Sequence, residues 1–145
     1  MYTLDANIFV RDANPNDLDH ADCRELLDKL HDMGLRVILP TIVLAEVAGS
    51  LSRAYRDPIR ARVYTERLIA LPHITLLVVD ETLGRVAANI AADYALRGMD
   101  AIYVAVAHEH ACKLVTLDNE PRQRAAALIT VQTPAQALAA LSSTF

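Results

Sequence analysis

Residues 37–52 read VILPTIVLAEVAGSLS, sixteen positions that carry a single charge, Glu46. With Arg36 in front, the first four form an apolar run closed by Pro40, the pattern of a short strand buried on both faces. A helix continues from about Thr41 to Tyr55. A buried strand feeding directly into a helix is one unit of an alternating α/β chain, and the sequence on either side repeats that unit. MYTLD (1–5) is a short apolar strand. After the polar loop DANPND (12–17), Leu18, Ala21, Cys23, Leu26, Leu27, Leu30 and Met33 recur at mostly helical steps up to a stop at Gly34. Asp57 and Pro58 form an N-cap with proline in the first turn, opening a helix that ends near Leu71 and Pro72. ITLLVV (74–79) is a third strand, and Asp80 caps a helix that runs to Gly98. Asp100 opens the nearly apolar helix AIYVAVAHEHA. KLVTL (113–117) and LITVQ (128–132) are strands separated by a short helix after Pro121, and PAQALAALS closes the chain. Repeats, low-complexity tracts and linkers are missing from this pattern. It predicts one domain over 1–145, a three-layer α/β/α sandwich around a five-stranded parallel sheet.

Composition narrows the function classes. The chain is 53% apolar, yet no window approaches the roughly 18 uninterrupted apolar residues that span a bilayer. MYTLDANIFVRD lacks a basic start and carries an acid at its fifth position, so it does not read as a secretory signal, and a soluble, cytoplasmic protein is expected. Cys23 and Cys112 have no paired spacing and are expected to be reduced core thiols. Net charge is −4, against binding of nucleic acid through overall charge. The distribution is uneven, because Arg53, Arg56, Arg60, Arg62 and Arg67 face only Asp57 and Glu66 in the same segment. Such a stretch suits phosphate, and equally a solvated helix face laced with ion pairs.

In an open parallel sheet the site lies outside the carboxyl ends of the strands. Asp5 ends the first strand and Asp118 comes after the fourth. Glu46 stands about a turn into the helix leaving the second strand, and Asp100 starts a helix whose far end feeds the fourth strand. Four acids therefore converge on one edge. Asp5, Asp100 and Asp118 have ordinary alternatives as turn or capping residues. Glu46 needs no such role, and its alternative is a buried ion pair with Arg36 or Arg53. Carboxylates gathered in a low dielectric either take up protons or bind a cation, and an all-oxygen set suits Mg²⁺ or Mn²⁺ over zinc. That is the equipment of phosphodiester hydrolysis.

The segments LDANIFV, the Glu46 of PTIVLAEV, RGMDAIYVAVA and KLVTLDNE resemble, in order and along essentially the whole chain, the successive motifs of PIN-domain proteins. The resemblance implies a metal-dependent ribonuclease, often the VapC-like toxin of a toxin-antitoxin pair, with strand order 3-2-1-4-5, frequent homodimers and products that keep the 5′-phosphate. Asp5, Glu46, Asp100 and Asp118 match the family's acidic positions. Asn7 and Thr116 match polar positions beside them, and Glu120 competes with Asp118 as the acid after the fourth strand, ranking below it. The expected mechanism is in-line attack by a metal-bound water on an RNA phosphodiester, with Asp5 and Asp100 as direct ligands, Asp118 a ligand to the same or a second ion, and Glu46 a ligand through water or a partner orienting that water. Arg11, Arg53, Arg56 and Arg60 are candidates to guide the RNA backbone.

Other assignments fit less well. His108 and His110 point roughly 200° apart on a helix, and His20 and His31 are about 16 Å apart along one, so neither pair chelates an ion. Asp93 is expected to face solvent. Asp80 at the end of ITLLVV suggests the phosphoacceptor of a signalling receiver, but the second acid beside the first strand and a lysine ending the last strand are lacking. A PIN-like domain that binds RNA or a partner without cutting is the remaining alternative.

Overall fold

The computed structural model describes residues 1–143. Five strands, β1 (Tyr2–Leu4), β2 (Val37–Pro40), β3 (Ile74–Leu77), β4 (Lys113–Val115) and β5 (Val131–Gln132), form one sheet in the order β3-β2-β1-β4-β5. Every pairing is parallel. All residues of β1 and β2 are buried, so the sheet's centre is covered on both faces, as their unbroken apolar runs require. The covering layers come from eight helices among the described residues: α1 (Ala6–Asp12), α2 (His20–Asp32), α3 (Ile42–Tyr55), α4 (Pro58–Ile69), α5 (Glu81–Tyr94), α6 (Gly98–Glu109), α7 (Asn119–Arg124) and α8 (Pro134–Ser142). The two Cys thiols are free and buried, and burial pushes that of Cys23 up to about 12.

The sequence pattern and the structure differ at element ends. Helix α1 has no counterpart in the pattern, since Ile8 and Val10 make a seven-residue segment a poor helix in isolation. Burial of Ile8 and Phe9 in the core supplies what propensity lacks. Leu18, expected on the apolar face of α2, is fully exposed, and α2 begins only at His20. Strand β3 stops at Leu77, where β2 also ends, leaving Val78 exposed. Helix α5 ends at Ala95, which takes a left-handed conformation (φ 53°) that favours glycine. The chain turns there because Leu96 is buried at the next position, and Gly98 opens α6 instead of closing α5. Asp100 consequently lies in the first turn of α6, with Arg97 as the N-cap. Helix α7 starts at Asn119, two residues before the expected Pro121, because Asp118 caps it.

Candidate active site

Register explains how the first acid is held. Leu4 pairs with Val115, so Asp5 and Thr116 leave β1 and β4 side by side, and Asp5 N–H donates to Val115 O at 3.0 Å. Thr116, itself buried, donates its hydroxyl to Asp5 Oδ2 at 2.7 Å. Asn7 Nδ2 donates to the same oxygen at 3.3 Å and to Thr116 Oγ1 at 3.2 Å, while Leu117 N–H donates to Asn7 Oδ1 at 3.4 Å. Asp118 N–H closes the network on Thr116 Oγ1 at 3.0 Å. Asn7 and Thr116 thus fix the orientation of Asp5 and tie the two loops together.

The other acids arrive from separate helices. Glu46, in the second turn of α3, accepts a hydrogen bond from the Tyr103 hydroxyl at 2.7 Å. Its partner is a phenol and not one of the arginines suggested by the sequence; Arg53 donates to Ser50 Oγ at 3.5 Å. Asp118 caps α7, with Oδ1 accepting from Glu120 N–H at 3.3 Å. Asp5, Glu46, Asp100 and Asp118 line a common open cleft of about 490 Å³ together with Asn7, Arg11, Ser50 and Arg97. Glu120 is outside its walls and is engaged by Arg97 at 2.9 Å and Arg124 at 2.7 Å.

Three of the acids are held above the ordinary carboxylate range. Burial is the main cause for Asp5, opposed by the hydrogen bonds from Thr116 and Asn7 and reinforced by Glu46 and Asp118. Burial also raises Glu46, against the Tyr103 hydrogen bond and with the charge of Asp100. Asp100 is pushed up to about 6, by burial first and then by Asp5 and Asp118, with Arg97 opposing. Its Oδ2 is buried with no hydrogen-bond partner among the described residues. A buried acceptor left unserved costs about 1–3 kcal/mol. Burial, mutual repulsion and an orphaned oxygen are together what a bound cation would relieve, so the donor set fits a hard divalent ion. Among the described residues no three His, Cys, Asp or Glu close around one point tightly enough to hold an ion by themselves.

The arginines divide differently from the sequence expectation. Arg11 lines the cleft and pairs with Asp17 at 2.6 Å. Arg53, Arg56 and Arg60 are not in its walls. Arg56 is the left-handed C-cap of α3, and Arg60 lies over the Tyr55 ring at 3.7 Å, donates to Ala13 O at 3.0 Å and lines a second cavity between α2 and α4. Two residues of the site have no signal in the sequence. Tyr103 sits within an apolar helix where an aromatic reads as core, and its hydroxyl meets Glu46 only through the tertiary fold, which lays α6 against β1 and β2. Arg97 reads as part of the link between helices. Asp80 caps α5 through Leu83 N–H at 2.9 Å and is not in the cleft walls, and Asp93 is exposed as expected.

A family model of the PIN domain matches residues 2–127. Solved structures of the same fold include FitAcB from Neisseria gonorrhoeae, 26% identical with a TM-score of 0.69 over 92% of this chain and 98% of that one. VapBC2 from Rickettsia felis, bound to a DNA fragment from their promoter, is 14% identical with a TM-score of 0.70 over 91% and 97%. VapC20 from Mycobacterium tuberculosis, described as a sarcin-ricin loop cleaving toxin, is 19% identical with a TM-score of 0.69 over 82% and 91%. No curated protein sequence matches the chain.

Proposed function

The chain belongs to the PIN-domain family, and from that premise we propose that it is a divalent-metal-dependent endoribonuclease and the toxin of a toxin-antitoxin pair. The observation that carries the nuclease reading is the meeting of Asp5, Glu46, Asp100 and Asp118 from four separate elements on one cleft, with Asp100 Oδ2 buried and unserved. The toxin reading draws support from structural neighbours that are toxins or complexes with antitoxins, such as a toxin-antitoxin complex from Klebsiella pneumoniae.

In this mechanism Asp5, Asp100 and Asp118 would hold Mg²⁺ or Mn²⁺. The ion, when bound, supplies activation of water and neutralises charge developing on the phosphate. Thr116 and Asn7 keep Asp5 in one orientation, which lowers the reorganisation needed when phosphate enters. With Oε1 engaged by Tyr103, Glu46 has Oε2 to orient the attacking water and accept its proton. Arg11 at the cleft wall meets the RNA backbone. The chain has only seven aromatics and no Trp, so recognition rests on phosphate and RNA shape more than on base stacking. A cytoplasmic homodimer bound by a cognate antitoxin completes the proposal. No helix among the described residues is long and apolar enough to cross a membrane.

The test is cleavage of single-stranded RNA with Mg²⁺ or Mn²⁺, stopped by EDTA. Asp5→Asn and Asp100→Asn are expected to lower the rate by on the order of 10³-fold, about 4 kcal/mol of transition-state stabilisation, while circular dichroism stays native. Undiminished cleavage in both variants would sink the assignment. RNA binding without divalent-dependent cleavage would favour a binding module instead.

A further inference from the structure

The two arginines in the cleft wall, Arg11 and Arg97, are each held by an acid, at 2.6 Å by Asp17 and at 2.9 Å by Glu120. What their release would cost differs. Asp17 has no second arginine among the described residues, so Arg11 leaves behind an acid without its cation. Glu120 is gripped on its other oxygen by Arg124, one turn along α7 at 2.7 Å, and keeps a cation if Arg97 departs. Arg97 is also 71% exposed, so swinging it from one anion to another requires little desolvation. It occupies the N-cap position of α6, the helix whose first turn carries Asp100, so its reach is confined to the neighbourhood of the acids.

A polyanion entering a cleft of four acids needs a cation that can face it, and a guanidinium binds phosphate oxygens in a planar, two-pronged way that an ammonium does not. We propose that Arg97 is a phosphate clamp that exchanges partners: when an RNA strand enters, its guanidinium leaves Glu120 for a backbone phosphodiester, and Arg124 keeps Glu120 neutralised. The inference rests on the nuclease reading for the identity of the ligand. Arg97 contacts the backbone and not a base edge, so it positions RNA without selecting sequence. Glu120 is then the counter-ion that parks Arg97 between turnovers, a different use from the metal-site role it competes for in the sequence.

The deciding readout is binding, so that the clamp and the nuclease reading fail separately. Fluorescence anisotropy of a labelled single-stranded RNA, titrated in EDTA across a range of salt, is expected to show about tenfold weaker binding for Arg97→Ala. The slope of log K against log salt should fall by about 0.7, the value of one lost phosphate contact on a single strand. Arg97→Lys should fall between, since it retains the charge and loses the fork. Glu120→Gln should bind up to about fivefold tighter, because Arg97 is released in advance. If the pair is only a clip between α6 and α7, both Arg97→Ala and Glu120→Gln lower the melting temperature and leave affinity and salt slope unchanged, which overturns the clamp. Weaker binding by Glu120→Gln, or no binding by the wild type, also overturns it. A wild type that binds RNA in this way but cuts none with any divalent ion defeats the nuclease reading alone.

Discussion

Two acids, Asp12 buried and Asp100 half-buried, meet different surroundings. Asp12, at the end of α1, is 3% exposed and lies in a direct ion pair: Arg24 Nε is 2.8 Å from Oδ1, which itself accepts no hydrogen bond among the described residues, while Oδ2 accepts from Arg24 Nη2 at 3.1 Å and from the Tyr64 hydroxyl at 2.7 Å. These contacts join α1, α2 and α4 beneath the cavity between the latter two helices. Asp100, near the carboxyl edge of the sheet, has an oxygen without a hydrogen-bond partner among the described residues, and burial first, then the charges of Asp5 and Asp118, push its pKa up to about 6. The first carboxylate is in direct contact with a guanidinium, whereas the second has Asp5 and Asp118 as repelling neighbours and only the more distant charge of Arg97 to oppose them. A buried charge compensated internally serves the fold, whereas one left uncompensated stores a free-energy cost that only a ligand or a proton removes.

The sharpest way to break that contrast is to remove the compensated acid. Asp12→Ala should destabilise the protein by about 2–3 kcal/mol in urea unfolding, since Tyr64 loses its buried acceptor, while Arg24 is half exposed and can turn to water. RNA cleavage at a temperature where the variant is folded should be nearly unchanged. An unchanged unfolding midpoint would mean that the network contributes nothing net to the fold.

A smaller effect is expected where the two patterns overlap. Tyr103 serves Glu46 much as Tyr64 serves Asp12, but in the cleft. Tyr103→Phe keeps the buried ring and deletes the donor, so the cleavage rate should drop about tenfold with a stability change under about 1 kcal/mol. Full activity in that variant would show that packing alone holds Glu46.

The smallest effect is a pH dependence confined to the cleft. Asp5, Glu46 and Asp100 bind their protons more tightly in the folded protein than in the unfolded chain. Their contribution to stability is therefore fully present below about pH 4 and is lost as pH rises, for Asp100 through about 6. In EDTA the melting temperature should be lower at pH 7.5 than at pH 5 by roughly 1–3 °C on account of these groups, after allowing for their partial exposure. Asp100→Asn should shrink that difference, and Mg²⁺ should restore stability at pH 7.5 by binding the folded form. A melting temperature that rises from pH 5 to 7.5 in EDTA and is indifferent to Asp100→Asn would remove the claim that the cleft is uncompensated.

The architecture was legible because its signals are local and repeated. The apolar runs at 37–40 and 74–77 and the caps at Asp57 and Asp80 each declare their element without reference to the rest of the chain. The family motifs, in order along the chain, gave the parallel sheet its strand sequence. They also pointed to Asp5, Glu46, Asp100 and Asp118, since parallel strands all deliver their carboxyl-end loops to one edge. Helix α1 and the turn at Ala95 were not legible, because burial of Ile8, Phe9 and Leu96 overrides weak or contrary local preferences there.

Sequence alone determined the fold class and which acids share an edge, because backbone periodicity and strand direction are set by residues a few positions apart. Tertiary structure alone decided how each charge is answered: Glu46 by Tyr103, Asp12 by Arg24 and Tyr64, Glu120 by two arginines, and Asp100 Oδ2 by none of the described residues. The reason is range, since a hydrogen bond or ion pair depends on a few ångströms between side chains that helix packing brings together from distant parts of the chain.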